Sequence, residues 1–308
     1  MKRTKLSIAE AKQINLVDYL TILGYHPDPI KSNERDYWYL SPLPGRNEKN
    51  ASFKVNIQKN VWFDHGIGRG GNIIDFCILY YNCPIPELLE LLQGSFSFHP
   101  RLLPNLSTSS RPKQNDAGEK KIKVISQLPI TSPVLRHYLR QRCIPLWVAQ
   151  KWCLEVNYEL SGKQFFAIGF KNRAGGFELR NPGFKGSGSP KDVTFLDNSS
   201  EHVAVFEGFF SFLAYVALHQ NESILTNFLI LNSLSFFEKS RELMEAHQEI
   251  LLFLDRDAAG IKCANQAVKW SNRYIDRSDF YKGQKDINAW LVQNEFSKRQ
   301  DFSKGRHL

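Results

Sequence analysis

Short apolar runs alternate with helix-like segments in the second half of the chain, from residue 203 onward. Each run is followed by turn residues, which is typical of a strand buried on both faces. Strands that alternate with helices predict a parallel sheet covered by helices. The predicted strands are Val203–Phe206, Phe228–Leu231, Ile250–Leu254 and a last one near Phe280 and Tyr281, and the predicted helices are Phe209–His219, Ser240–His247 and Ile261–Trp270.

The N-terminal part of the chain has a different pattern. One stretch with apolar residues at helical spacing is followed by short strand-like runs, which turns rich in Pro, Gly and Asn separate. The predicted elements are a helix over Ser7–Leu23, strands that begin near Tyr37, Ser52 and Asn60, a glycine-rich turn over Gly66–Asn72, and helices over Ile73–Tyr81 and Ile85–Leu92.

Between these parts, Ser, Pro, Asn and Lys dominate from about Gly94 to Glu119, which is typical of a linker. The chain then predicts helices, a strand–turn–strand and a glycine-rich loop. These elements are helices over Pro133–Arg142 and Pro145–Trp152, strands over Phe165–Phe170 and Phe177–Arg180, and a loop over Pro182–Lys191. We therefore predict an N-terminal module over 1–95, a linker over 96–122, a middle subdomain over 123–200 and a C-terminal domain over 201–308.

Composition narrows the class of protein. The 308 residues are 42% hydrophobic and carry a formal net charge of +9. This positive charge favours acidic polymers as binding partners, nucleic acid first. Five scattered cysteines without a CxxC pair argue against a disulfide framework or zinc ribbon and suit a reducing cytoplasm. The sequence has no apolar run long enough to span a bilayer, and the residues after Met1 lack a signal peptide's apolar region. We expect a cytoplasmic protein without a membrane partner.

Acidic residues follow three of the predicted strands. Asp255 and Asp257 come directly after Ile250–Leu254, Glu207 follows an earlier strand, and Asp286 follows the last. Carboxyl ends of parallel strands meet at one sheet edge, and carboxylate oxygens are ligands that Mg²⁺ prefers. This pattern predicts a metal site for phosphoryl transfer. The alternative from spacing alone is that Asp257 caps the next helix and Asp255 is solvated.

These motifs resemble the Toprim domain, the metal-binding fold of bacterial primases, topoisomerases and related nucleases. Val205–Gly208 is similar to its glutamate motif, Phe253–Gly260 to its DxD motif, and Gly283–Leu291 to the primase segment after the sheet. The resemblance implies Mg²⁺, with Mn²⁺ as a substitute. It assigns catalysis to Glu207, Asp255 and Asp257, metal binding to these three and Asp286, and nucleotide or template binding to Gly208 and Lys285.

The resemblance to DnaG-type primases extends upstream. Tyr138–Pro145 resembles the opening helix of the primase polymerase region, and Phe165–Arg180 its strand–turn–strand that ends in an arginine. Ser189–Lys191 stands where primases carry a Pro-Lys. The resemblance implies that Arg180 and Lys191 hold nucleotide triphosphate or template. The alternative for each is a solvated surface cation.

The N-terminal module resembles the CHC2 zinc-ribbon domain of primases. Asn47–Val55 and Trp62–Phe76 carry the likeness, yet the family's zinc ligands fall within Leu40–Pro42 and Gly45–Arg46, on Asp64 or His65, and on Ile67 or Gly68, where only His65 could bind zinc. Zinc needs four thiolate or imidazole ligands, so we expect a degenerate module without zinc, held by aromatic packing. Lys54, Lys59 and Arg69, with exposed aromatic side chains, are the expected DNA contacts. The alternative is core aromatics beside solvated lysines.

The fold class that follows is α/β: a Toprim-type parallel sheet flanked by helices, preceded by a small α+β primase polymerase subregion and the zinc-ribbon-like module. Two departures, Ser211 and Asn288, stand where the family has acids, which predicts a weaker metal site.

The expected function is a DNA primase that makes short RNA primers on single-stranded DNA from NTPs. It would serve replication or mobilisation of a plasmid, phage or conjugative element, alongside a replicative helicase or mobilisation proteins. The alternatives are a Toprim nuclease and a noncatalytic DNA-binding module.

Overall fold

The computed structural model of the protein describes residues 6–44, 46, 48–97, 122–160, 162–219 and 226–304. Nearly all of the predicted linker lies outside these residues. The chain divides into two compact units. The first comprises Met1–His137, Glu155–Ile168 and Arg180–Lys185, and the second comprises Tyr138–Leu154, Gly169–Leu179 and Gly186–Leu308. The four-part organisation expected from composition stays a prediction.

The described residues form helices and strands that alternate one by one only from residue 202 onward. The helices are α1 Ile8–Lys12, α2 Leu16–Ile22, α3 Ile73–Tyr81, α4 Ile85–Ser97, α5 Pro133–Gln141, α6 Leu146–Trp152, α7 Phe209–Leu218, α8 Arg241–Glu245, α9 Ala258–Trp270 and α10 Ile287–Lys304. The strands are β1 Asp36–Tyr39, β2 Phe53–Asn56, β3 Val61–Asp64, β4 Arg69–Gly71, β5 Lys123–Leu128, β6 Cys153–Leu160, β7 Lys163–Lys171, β8 Phe177–Asn181, β9 Phe184–Gly188, β10 Thr194–Leu196, β11 His202–Phe206, β12 Asn227–Ile230, β13 Glu249–Phe253 and β14 Tyr274–Asp276.

The first sheet is an antiparallel meander, β1-β2-β3-β4. Side chains alternate along its strands, so Phe53 and Trp62 point into an aromatic core while Lys54 and Phe63 lie on the other face. The Phe53 and Trp62 rings stack with centroids 5.1 Å apart, and both meet Phe76 of α3 at an edge. Aromatic packing therefore forms the centre of this module, as the sequence predicts.

A buried charge cluster lies at the end of β3, among the positions where the family resemblance places zinc ligands. Asp64 is fully buried and accepts hydrogen bonds from Ser41 Oγ at 2.5 Å, Gly66 N at 2.7 Å and Ile67 N at 3.2 Å. The guanidinium of Arg46 pairs with Glu48 and lies 3.9 Å from Asp64 Oδ1. The cluster joins the loop before β2 to the turn after β3. The expectation that zinc is absent stays a prediction.

Gly66 leaves room for this cluster. A Cβ built there would overlap the guanidinium end of the Arg46 side chain, so a larger residue would displace the arginine. The glycine-rich turn thus admits a close approach by a charged side chain, while its second half forms the edge strand β4.

The second sheet has the order β5-β6-β7-β8-β9. Three of its strands are missing from the sequence prediction. Strands β5 and β6 were not predicted, and the predicted loop over Pro182–Lys191 is wrong because it contains β9. Packing explains β6 and β9, since the Tyr158 ring of β6 stacks on Phe184 of β9 and on Phe165 of β7, with centroids 5.5 and 5.6 Å apart.

The third sheet confirms the predicted fold class. Its order is β10-β12-β11-β13-β14, with four parallel strands and β10 added antiparallel at one edge. Apolar side chains of β11, β12 and β13 are buried, as expected for central strands of an α/β sheet. Examples from this core are Val203, Val205, Leu229, Ile250 and Leu252.

The last strand was placed wrongly by the sequence pattern. The predicted strand near Phe280 and Tyr281 is a 3₁₀ turn over Ser278–Tyr281, and Tyr274–Asp276 is the strand that pairs with β13. The apolar signal came from Tyr281, whose ring is buried and whose hydroxyl donates to the carbonyl of Leu254 at 2.6 Å.

Two predicted helices are also shorter than the apolar pattern indicates. The helix expected over Ser7–Leu23 is broken into α1 and α2, because Ser7 and Asn15 each cap a helix of their own. The helix expected over Ser240–His247 shrinks to α8, which 3₁₀ turns precede. In the parts of the chain that the structure describes, the helices include none that is long and apolar enough to cross a membrane.

We predict that Asp64→Ala destabilises the N-terminal module by roughly 3–5 kcal/mol, because it leaves Arg46 and two backbone N–H groups without their buried carboxylate. Hydrogen exchange of β2 and β3 measures this loss. Glu90→Ala, which removes an exposed acid from α4, is the matched control. Unchanged protection of β2 and β3 in Asp64→Ala would show that the cluster does not hold the module together.

Candidate metal centre

Strand register brings three acidic side chains to one edge of the third sheet. Phe206 of β11 lies beside Phe253 of β13 in a parallel pair. The next residues along each strand, Glu207 and Leu254–Asp255, therefore leave the sheet at the same edge. Asp257 follows at the start of α9. The sequence prediction of acids at strand ends correctly groups these three residues.

The three carboxylates are close enough to share one ion. Each offers an oxygen, and the three oxygens of Glu207, Asp255 and Asp257 lie within 4.8 Å of one another. Oε2 of Glu207 is buried and has no hydrogen-bond partner among the residues that the structure describes. A buried acceptor left open, in a set of hard oxygen donors, fits Mg²⁺ or Mn²⁺.

Both interpretations of Asp257 prove compatible. Its Oδ1 caps α9 by accepting from the backbone N–H groups of Ala259 at 3.1 Å and Gly260 at 3.0 Å. Its second oxygen remains in the acidic group. The turn favours glycine at position 260 for a steric reason, because a Cβ there would lie 2.0 Å from the carbonyl oxygen of Asp255. The DxD motif thus combines a helix cap, a close turn and two charges.

The pKa values follow burial and mutual repulsion. Burial, then the charges of Asp255 and Asp257, raise the pKa of Glu207 to about 7. Burial and the charge of Asp286 raise the pKa of Asp255. The N–H group of Gly260 lowers the pKa of Asp257, in keeping with its position at a helix N-terminus. The site therefore holds one carboxylate that is half-protonated near neutral pH beside one that is firmly ionised.

Lys285 lies against the two aspartates. Its Nζ is 3.2 Å from Oδ2 of Asp255 and 3.6 Å from Oδ2 of Asp257. Asp286 accepts from the backbone N–H of Ala289 at 2.7 Å and so stabilises the first turn of α10. Asp286 lies outside the group of three that could share an ion, although its charge acts on Asp255. Its assigned metal role and the nucleotide role of Lys285 stay predictions.

Asn288, one of the two departures from the family pattern, has a structural role. Asn288 is fully buried in α10, and its Nδ2 donates to the backbone carbonyl of Arg142 at 2.8 Å. A carboxylate cannot donate this hydrogen bond when ionised. Ser211, the other departure, is buried in the first turn of α7.

The remaining predicted residues lie at varied positions. Gly208 caps α7, and a Cβ there would meet no atom of the described residues within 4 Å, which leaves room for a ligand. Arg180 is half-buried on β8, and Lys191 is exposed after β9. Their binding roles stay predictions. Lys59 and Arg69 are exposed and Lys54 is half-buried, and all three belong to the N-terminal sheet or its turns.

Sequence reasoning missed Arg256, the middle residue of the DxD motif. Its backbone N–H donates to the carbonyl of Lys285 at 2.7 Å. Its Nη1 donates to Ser278 Oγ at 3.0 Å and Asp279 Oδ1 at 3.1 Å. Arg256 thus holds the loop that carries Lys285. Its position between two aspartates was the sequence signal that could have indicated a role for Arg256. Its hydrogen-bond partners, however, lie on a loop whose path the sequence does not show.

Two segments of the chain match the sequence models of known families. Residues 204–291 match the Toprim-like family, and residues 124–189 match a family described as a domain of unknown function, DUF8464. The resemblance of the three motifs to Toprim proteins is therefore confirmed. None of the curated proteins compared with the chain matches it.

Two solved structures are similar at low identity. The primase fragment of the bacteriophage T7 primase-helicase protein is 14% identical, with a TM-score of 0.40, over 89% of this chain and 96% of that one. The zinc-binding and RNA polymerase domains of the Aquifex aeolicus primase are also 14% identical, with a TM-score of 0.34, over 84% of this chain and 74% of that one.

We predict that Glu207→Gln stabilises the metal-free protein at pH 8 but not at pH 5. The folded pKa of Glu207 exceeds its ordinary value, so the folded state binds the extra proton, and this carboxyl lowers stability as pH rises from about 4.5 to about 7. Solvent screening at this half-open site limits the expected gain at pH 8 to about 1–2 kcal/mol.

Urea unfolding in EDTA at both pH values measures this difference. Glu242→Gln, an exposed acid of α8, is the control and should leave the pH dependence unchanged. A Glu207→Gln protein with the same pH dependence as the wild type would contradict the raised pKa.

We predict that Asn288→Asp costs roughly 2–4 kcal/mol at pH 8, because an ionised carboxylate would face the carbonyl of Arg142 in a buried position. Urea unfolding measures the cost, and Asn272→Asp at an exposed position is the control. Unchanged stability together with tighter Mn²⁺ binding would instead support the view that Asn288 is a lost metal ligand.

Proposed function

We propose that this protein, whose residues 204–291 form a Toprim-like domain, is a DNA primase that makes short RNA primers on single-stranded DNA. The observation that carries the proposal is the group formed by Glu207, Asp255 and Asp257, which offers three carboxylate oxygens to one ion. Nucleotidyl transfer joins a primer hydroxyl to an incoming triphosphate, and both the attacking oxygen and the departing diphosphate are negatively charged.

The residues of the site suit this chemistry in distinct ways. Asp255 and Asp257 would hold Mg²⁺, with Glu207 as a third ligand, and the ion would neutralise charge on the triphosphate. In the alternative role, Glu207 is not a metal ligand but the general base: without a metal its pKa is about 7, close to the value needed to accept a hydroxyl proton near neutral pH. The open space beside Gly208 leaves backbone accessible to a phosphate at the start of α7.

The exposed face of the N-terminal sheet supports a single-stranded template. Trp38, Lys54 and Phe63 are neighbours across β1, β2 and β3 on this face. The His65 ring stacks on Trp38 with centroids 5.2 Å apart, and Lys31 Nζ lies 3.8 Å from the Trp38 centroid. Aromatic rings flanked by cations are what single-stranded nucleic acid binds by stacking and phosphate contact.

Primer synthesis on single-stranded DNA with labelled NTPs and Mg²⁺ or Mn²⁺ tests the proposal. We predict short RNA products from the wild type and an at least hundredfold lower rate from Asp255→Asn/Asp257→Asn. Asparagine keeps the cap of α9, so this variant removes charge from the site while the helix start is preserved. Glu242→Ala is the control for a lost acid far from strand ends.

The other outcomes reject the proposal in different ways. DNA degradation that needs the aspartates but no NTPs would identify a nuclease. DNA binding that is the same in wild type and variant, with no chemistry in either on several templates, would identify a noncatalytic module.

A further inference from the structure

Lys285 is delivered to the acidic group by a loop that is anchored on both sides. The hydroxyl of Tyr281 donates to the carbonyl of Leu254, and the backbone N–H of Arg256 donates to the carbonyl of Lys285 itself. Asp286 then starts α10 by accepting from Ala289 N. The backbone at residue 285 is therefore tied to the turn that carries the two aspartates.

The side chain of Lys285 is held much less firmly than its backbone. It is 58% exposed, and it contacts the site through its ammonium, which lies 3.2 Å from Asp255 Oδ2 and 3.6 Å from Asp257 Oδ2. A lysine ammonium is a compact point charge on a flexible stem of four carbons. It can leave the two oxygens by rotating its stem while the loop backbone stays in place.

The ammonium and a divalent ion need the same oxygens. Asp255 and Asp257 supply two of the three carboxylates that could share an ion, and Lys285 pairs with both of them. Each positive charge stabilises this cluster, and each disfavours the other at the same place. Among the described residues, the charged groups that act on Lys285 are acidic: Asp255 and Asp257 in contact, and Glu207 at longer range.

We propose that Lys285 is a built-in, exchangeable cation of the metal site: its ammonium occupies the aspartate pair when no metal is bound, and a divalent ion must displace it to bind. The inference rests on the proposed function, because it assumes that the three carboxylates bind a divalent ion. Lys285 preserves the acidic cluster in the metal-free protein at the cost of weaker metal binding. The competition raises the divalent ion concentration at which the site is half-occupied.

Binding of Mn²⁺ alone, followed by electron paramagnetic resonance, tests the exchange without any catalytic assay. We expect Lys285→Met to bind Mn²⁺ roughly five- to fiftyfold more tightly than the wild type, since the competing cation is gone. Lys282→Met is the matched control, because it removes the same charge from an exposed residue of the same loop. Its affinity for Mn²⁺ should stay within about twofold of the wild type.

A second measurement follows the ammonium itself. Reductive methylation of lysines in the wild type, read by mass spectrometry, should modify Lys285 several-fold faster at saturating Mg²⁺ than in EDTA. The rate at Lys282 should not change. Because this experiment uses the unaltered chain, a folding defect in a variant cannot produce the result.

Equal Mn²⁺ affinity of Lys285→Met and wild type would overturn the inference, as would an equal gain in Lys282→Met, which would reduce the effect to net charge. Methylation of Lys285 that is indifferent to Mg²⁺ would overturn it as well. Failure of the proposed function looks different: neither the wild type nor Lys285→Met would bind Mn²⁺ at all, which would reject the metal site together with the exchange.

Discussion

Burial of like charges at one sheet edge is the constraint on which the candidate site depends. Burial first, and then the charges of neighbouring carboxylates, raises the pKa values of Glu207 and Asp255. Three features offset this repulsion: the N-terminus of α9, the ammonium of Lys285 and the proton that Glu207 keeps up to neutral pH. The rigid parallel pair of β11 and β13 is what prevents the carboxylates from moving apart.

The same physical problem, a concentration of charge inside a small module, has another solution in the N-terminal sheet. There Asp64 is satisfied by a serine hydroxyl and two backbone N–H groups, with the guanidinium of Arg46 nearby. A planar cation with several donors can link loops in the way that a tetrahedral ion links its ligands, but it needs oxygen acceptors instead of thiolates. The expected loss of zinc ligands in this module is therefore consistent with the oxygen and guanidinium cluster of Ser41, Arg46 and Asp64.

Departures from a family pattern need to be interpreted one at a time. The resemblance places Asn288 where the primase segment carries an acid, so the sequence alone predicts a missing negative charge. In the fold, Asn288 is buried and donates a hydrogen bond to a carbonyl 146 residues away in the chain. Asn288 thus links α10 to the end of α5.

The sequence by itself determined the alternating strands and helices of the third sheet, the placement of Glu207 and the DxD pair at strand ends, and the Toprim-like motifs. These features are local. Apolar runs, turn residues and helix caps act over a few neighbouring residues, so the sequence alone is enough to predict them. Only the tertiary structure decided which charges meet. Three features depend on contacts between residues distant in the chain. Lys285 pairs with the two aspartates, Arg46 lies near Asp64, and strands β6 and β9 pack through Tyr158 and Phe184. No local pattern encodes such a contact, because its free energy arises only when the fold brings both partners together.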